Sequence, residues 1–126
     1  MRLLLDTHVV LWELAGIRTV GPRAQQAIER ADELSFSVVS FAEIGVKAAI
    51  GKLAVPDDLR EHLAQTGLRI LGLAPEHGLA VAHLPLHHRD PFDRLLIAQA
   101  GCEGLTLVTS DARIADYDLP VIDAGV

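Results

Sequence analysis

A chain of 126 residues, half of them hydrophobic and 22% charged, can bury one core and is too apolar to remain disordered. Its formal charge of −6, from 11 Lys plus Arg against 17 Asp plus Glu, disfavours a protein that binds phosphate over its whole surface. The single cysteine, Cys102, excludes an internal disulfide, and no apolar run reaches membrane length, so one cytoplasmic domain over residues 1–126 is expected.

Residues 2–5 are an apolar run that reads as a first strand, closed by Asp6. The opening resembles a secretory leader only briefly, because Asp6, His8 and Glu13 interrupt it and no small-residue cleavage pattern follows. Val9, Val10, Leu11, Trp12 and Leu14 read as the inner face of a first helix, with Trp12 in the core rather than serving as a base-stacking platform. Gly21-Pro22 sets a proline at the first position of a second helix. A second strand is predicted over 34–39, followed by Ser40-Phe41-Ala42-Glu43, whose spacing fits a capping box with Glu43 at its third helical position. Val55-Pro56 marks a further helix start, and Leu59 with Leu63 forms an amphipathic pair along it. Strands are predicted over 69–73, 105–109 and 120–122. Asp90-Pro91-Phe92-Asp93 starts the helix before the fourth strand, and Asp111 follows that strand.

Alternating strands and helices imply a mainly parallel sheet of about five strands in a three-layer α/β/α domain. The Leu/Val-rich strands fit a sheet covered on both faces. In this topology strand ends and the first turns of the following helices share the carboxyl edge of the sheet, where such folds bind ligands. Asp6 and Asp111 reach that edge from strand ends, Glu43 and Asp93 from helix starts.

Each acid has an ordinary alternative as a helix cap or a first-turn carboxylate favoured by the helix dipole. Together they need more than caps, because two carboxylates about 4 Å apart repel by roughly 4 kcal/mol at an effective dielectric of 20. Either some stay protonated or a cation sits among them, and an all-oxygen set favours Mg²⁺ or Mn²⁺ over Zn²⁺. With those four acids set aside, the remainder of the chain carries 13 acids against 11 bases. The acidity is then largely the site itself.

Neighbouring residues keep two readings open. Thr7, Thr109 and Ser110 could hold a metal-bound water or cap a helix. Lys47, four residues after Glu43, forms a helical ion pair or contacts phosphate. Arg89 and Arg94 are candidates for phosphate contacts or for holding the carboxylates, whereas zinc ligation by His87 and His88 is disfavoured without a nearby cysteine. His8 suits packing or an outer hydrogen bond. Asp116 could act as an outer acid, although Ala115-Asp116-Tyr117-Asp118 also reads as a solvated turn.

Four blocks, taken in order, resemble the successive motifs of a PIN-domain nuclease. They are Leu4-Leu5-Asp6-Thr7-His8, Ser40-Phe41-Ala42-Glu43-Ile44, His88-Arg89-Asp90-Pro91-Phe92-Asp93-Arg94-Leu95-Leu96-Ile97-Ala98-Gln99-Ala100, and Leu107-Val108-Thr109-Ser110-Asp111. The third is the most specific, and the nearest similarity is to VapC-like toxins of type II toxin–antitoxin modules. The resemblance implies that Asp6, Glu43, Asp93 and Asp111 form the acidic metal-binding and catalytic set with Thr109 as a helper, and the positions of Arg94 and Asp116 add them as supporting candidates. It also implies Mg²⁺, with Mn²⁺ able to substitute, and cleavage of single-stranded or loop RNA. The expected partners are a second copy in a homodimer and a cognate VapB-like antitoxin that blocks the site, in a heterotetramer or larger assembly.

Two other classes compete with a nuclease. A catalytically silent PIN-like module that binds RNA or a partner would keep the acidic shell for stability alone. A Mg²⁺-dependent phosphotransfer domain of receiver or phosphatase type shares parallel sheets and strand-end acids, but it is disfavoured because no acidic pair follows the first strand.

Overall fold

The fold is that of a computed structural model, which describes residues 1–15 and 20–125; the side chains of Leu14 and Ala15, and with them the inward placement expected for Leu14, lie outside the described residues. Five strands, β1 (Arg2–Leu5), β2 (Glu33–Ser37), β3 (Arg69–Leu71), β4 (Thr106–Thr109) and β5 (Val121–Asp123), form one sheet in the order β3-β2-β1-β4-β5. Every pairing is parallel. Six helices connect them: α1 (Thr7–Ala15), α2 (Pro22–Arg30), α3 (Val38–Ala49), α4 (Leu59–Gln65), α5 (Pro75–Ala80) and α6 (Pro91–Glu103). Short 3₁₀ turns occupy Val81–His83 and Ala112–Asp116.

Successive residues of β1 point to opposite faces of the sheet, and the leucines separate accordingly. Leu3 and Leu5 join Val9, Val10, Ala24, Phe36, Leu59 and Leu63 in one core cluster, beneath α1, α2 and α4. Leu4 joins Val39, Leu96, Ile97, Ala100 and Leu107 in the other, beneath α3 and α6. Both faces of the central strand are buried, and this is why its run is continuously apolar rather than alternating. No described helix is long and apolar enough to cross a membrane.

Register makes the carboxyl edge level. Leu5 is opposite Phe36 on one side and Val108 on the other. The next residues, Asp6, Ser37 and Thr109, therefore leave the sheet at the same height, and the Asp6 N–H still donates to the Val108 carbonyl at 3.0 Å. One register thus delivers a carboxylate and two hydroxyls to a single edge.

The structure moves several expected boundaries. β2 ends at Ser37, so Val38 and Val39 are already helical, and Ser37 caps α3 by accepting from the Val39 N–H at 3.0 Å. Ser40 is not the cap, and Glu43 lies in the second helical turn, so no capping box forms there. The β-branched pair read as strand because burial selects Val in either structure; the serine hydroxyl at the preceding position decides where the helix begins. Pro56 begins a turn closed by the Leu59 N–H to its carbonyl at 3.2 Å, and α4 starts three residues later than predicted. β3 ends at Leu71 rather than residue 73, and β5 is displaced by one residue, to Val121–Asp123. Pro22 and Pro91 begin their helices as expected, the latter behind Asp90, whose carboxylate accepts from the Phe92 and Asp93 N–H groups at 2.9 and 3.3 Å.

Ser37 also donates to Gln99 Oε1 at 2.5 Å, and the Gln99 amide donates to the Gly72 carbonyl at 3.2 Å, tying α6 across the ends of β2 and β3. Ser37→Ala removes a cap and strands a buried amide oxygen. It is expected to cost about 2 kcal/mol in urea denaturation, against less than about 0.5 kcal/mol for an exposed control such as Ala82→Ser.

Candidate metal centre

An open cleft of about 390 Å³ at this edge is lined by Asp6, His8, Trp12, Glu43, Lys47, Asp90, Asp93, Ser110, Asp111 and Arg113. All four acids singled out in the sequence face it. Asp6 enters from the end of β1, Glu43 from α3, Asp93 from the first turn of α6, and Asp111 from the turn after β4.

Asp6 is buried and held from two sides, by the Thr7 N–H on Oδ1 and the Thr109 hydroxyl on Oδ2, both at 2.7 Å. Thr109 in turn accepts from the Asp111 N–H at 3.1 Å, linking two acids through one hydroxyl. Glu43 is also buried. It accepts from the Thr7 hydroxyl at 2.8 Å and from Lys47 Nζ at 2.6 Å, while Thr7 lies 2.7 Å from the Ser40 hydroxyl. Lys47 therefore forms the helical ion pair and lines the cleft as well, so its two readings are compatible. Burial works against its charge, but the Glu43 carboxylate outweighs that and holds the ammonium above its ordinary range.

Burial drives the Asp6 carboxyl above its usual range, against the opposing hydrogen bond from Thr109. Asp93 is pushed up to about 7, first by burial and then by the charges of Asp6 and Asp90. Asp111 goes the other way: burial raises it, but the Arg113 guanidinium and backbone N–H together with His88 outweigh that effect and lower it. The site thus contains a carboxyl group that its neighbours discourage from ionising at neutral pH.

His88 is buried, with Nε2 hydrogen-bonded to Asp111 Oδ2 at 2.9 Å and 2.8 Å from Asp93 Oδ2. These three side chains bring their ligand atoms within 4.8 Å of one another. The ring's Nδ1 accepts the Asp90 N–H at 3.1 Å, so the proton is on Nε2 and that nitrogen offers no lone pair. The donors available to a cation are then carboxylate oxygens, a set that fits Mg²⁺ or Mn²⁺ better than zinc. Sequence reasoning passed over His88 because it was weighed as a zinc ligand. Its place two residues before the capping Asp90 was the available signal.

Other expected helpers lie elsewhere. Arg94 does not touch the carboxylates and has no free face for phosphate. It is buried, and its guanidinium donates to the carbonyls of Val81, Leu84, Pro85 and His88 and to the Tyr117 hydroxyl. Those acceptors sit where the chain turns before α6, so the arginine fastens the turn rather than the acids. Asp116 is exposed at the end of its 3₁₀ turn and is not among the cleft-lining residues. Trp12 is half-buried and forms part of the cleft wall, rather than lying wholly in the core. Asp111, in addition to facing the cleft, caps the following turn through the Arg113 N–H at 2.9 Å.

The profile of the PIN domain matches residues 3–119, nearly the whole chain. The chain belongs to the PIN-domain family. It is 34% identical over 125 residues to Ribonuclease VapC22 of Mycobacterium tuberculosis, with 93% of this chain and 92% of that protein covered. Its fold is similar to that in the crystal structure of VapBC2 from Rickettsia felis bound to a promoter DNA fragment, with TM-score 0.71, 15% identity and 98% of each chain covered. The DNA-bound VapBC of Salmonella typhimurium matches with TM-score 0.70, 13% identity and 98% of each chain covered. At such identities the structural matches speak for the fold alone.

The raised Asp93 predicts an unusual dependence of stability on pH in this PIN domain. Between the unfolded value of 3.8 and about 7 the folded chain binds more protons than the unfolded one, so stability without metal falls as pH rises through that window. The raised Asp6 acts in the same direction, whereas the lowered Asp111 contributes only as pH falls below the ordinary carboxylate range. In EDTA, Asp93→Asn should remove much of this slope and stabilise the protein at pH 8 by about 2 kcal/mol, measured by denaturant titration. That figure is discounted from the full shift because the carboxyl is partly hydrated.

Proposed function

We propose that this chain is a Mg²⁺-dependent endoribonuclease, with Mn²⁺ able to substitute, and that it acts as a VapC-like toxin restrained by a VapB-like antitoxin. What supports this most is that Asp6, Glu43, Asp93 and Asp111 all line one cleft, where burial and the charges of neighbouring acids favour a bound cation. The ribonuclease name of the 34% identical relative supports RNA as the substrate. The VapBC complexes among its structural neighbours support an antitoxin partner. A cytoplasmic homodimer, joined by antitoxin in a heterotetramer or larger assembly, completes the proposal.

When bound, a divalent ion would activate water and offset charge developing on the phosphate. In this proposal Asp6 and Asp93 hold the ion, with Thr109 orienting the first, and Glu43 is kept in place by Thr7 and Lys47. Lys47 and Arg113 set positive charge beside the acids, where a phosphate backbone must pass. The half-buried Trp12 indole offers a stacking face on the wall of the cleft. Water, not the ribose 2′-hydroxyl, is the nucleophile, so the products carry a 5′-phosphate and a 3′-hydroxyl.

Purified protein incubated with a mixed-sequence RNA should cut it in Mg²⁺ or Mn²⁺ and not in excess EDTA. Asp6→Asn and Asp93→Asn should each slow cleavage at least about 100-fold, and end-labelling should find 5′-phosphates. Undiminished cutting in EDTA, or 2′,3′-cyclic phosphate ends, would sink the proposal. A cation that raises the melting temperature while no RNA is cut would favour the silent binding module instead.

A further inference from the structure

Asp111 is saturated by donors within its own chain. Its Oδ1 accepts from the Arg113 N–H and Nε at 2.9 and 3.2 Å, and its Oδ2 from His88 Nε2 and an Arg113 terminal nitrogen at 2.9 and 3.1 Å. Asp93 differs, because its Oδ2 lies against the same His88 nitrogen while Oδ1 takes no hydrogen bond from the described residues. A buried ring thus stands between a carboxylate that is fully hydrogen-bonded and one that it touches at 2.8 Å.

His88 is fixed from three directions. Its backbone N–H donates to the Tyr117 hydroxyl at 3.0 Å, its carbonyl accepts from Arg94 at 3.3 Å, and its Nδ1 accepts from the Asp90 N–H at 3.1 Å. Tyr117 is itself anchored by donating to the Pro85 carbonyl at 2.8 Å. Asp90 uses its backbone to set the ring's tautomer and its side chain to start the helix bearing Asp93. One residue therefore controls both the donor and the acid it faces.

We infer that His88 is a positioning residue for the metal centre: its Nε2–H donates to Asp111, and the same nitrogen, 2.8 Å from one oxygen of Asp93, sets that carboxylate by close contact and leaves the other oxygen for the cation. Asp111 acts on the ion through His88 rather than by ligating it. The inference rests on the metal-site reading above and deepens it. Carboxylates that bind metals are themselves held by outer hydrogen bonds, whose loss typically weakens metal affinity by about 10- to 100-fold.

Mn²⁺ affinity of the full chain, measured by titration calorimetry, tests this without reference to cleavage. His88→Leu is expected to weaken Mn²⁺ binding about 10-fold or more, while His88→Gln, whose amide N–H reaches the Nε2 position, stays within about threefold of wild type. Asp111→Asn should weaken binding similarly, and adding it to His88→Leu should bring little further loss, because two residues acting in series are not additive. Melting in EDTA identifies a variant that fails to fold. If His88→Leu does not fold, His88→Asn takes its place, since its shorter amide stops at the Nδ1 level and should bind as weakly.

Wild-type-like Mn²⁺ binding by the Leu or Asn variant overturns the inference, as does a Gln variant no better than Leu. So does a full, independent loss from Asp111→Asn in the double variant, which would make Asp111 a direct ligand. RNA cleavage together with His88-independent Mn²⁺ binding removes the positioning role alone. His88-dependent Mn²⁺ binding with no cleavage removes the nuclease reading and leaves the positioning role standing. Wild-type protein that binds no Mn²⁺ removes both.

Discussion

Repulsion among buried carboxylates is the constraint to which the rest of the carboxyl edge answers. The parallel register sets Asp6 at the end of the central strand, and α3 and α6, packed over the same face of the sheet, bring Glu43 and Asp93 to the same cleft. Burial first, and the charges of neighbouring acids second, make Asp6 and Asp93 costly to ionise, and many of the polar groups nearby are donors. Thr7, Thr109, Lys47, Arg113 and His88 each give a hydrogen bond to one of the four, and these bonds fix the direction in which the carboxylates face.

A second polar network supports the first from behind. Buried Arg94 would be costly without partners, and it finds five neutral oxygens, four of them carbonyls of the chain between Val81 and His88. Anchoring that segment fixes the backbone of His88, and so a residue with no contact to the acids still governs how they are held. His77 shows comparable wiring away from the cleft: its Nδ1 accepts the Ala74 N–H at 3.0 Å, and its Nε2 faces Glu103 at 2.8 Å. There it joins α5 to α6. The same chemistry serves packing in one place and orientation in the other, according to what lies beyond the second nitrogen.

The strand run of β1, the Asp90-Pro91 helix start and the acid after β4 were all legible, because each is written in consecutive residues with a local cause. The end of β2 was not. Val38 and Val39 favour a strand locally, and they become helical because Ser37 is tied to Gln99, 62 residues away, while also capping α3. The role of Arg94 was illegible for a related reason. An arginine beside an aspartate reads as a charge pair, but on a helix consecutive side chains point about 100° apart, so Asp93 turns to the cleft and Arg94 to the interior.

By itself the sequence determined the alternation of strands and helices, the burial of both sheet faces and the identity of the four acids, since periodicity and residue type are local properties of the chain. It did not determine which donors hold those acids. That depended on tertiary structure: strand register puts Thr109 beside Asp6 across 103 residues, and the turn before α6 brings His88 against Asp111 across 23. A hydrogen bond needs position and direction within fractions of an ångström, and only the packed sheet supplies both.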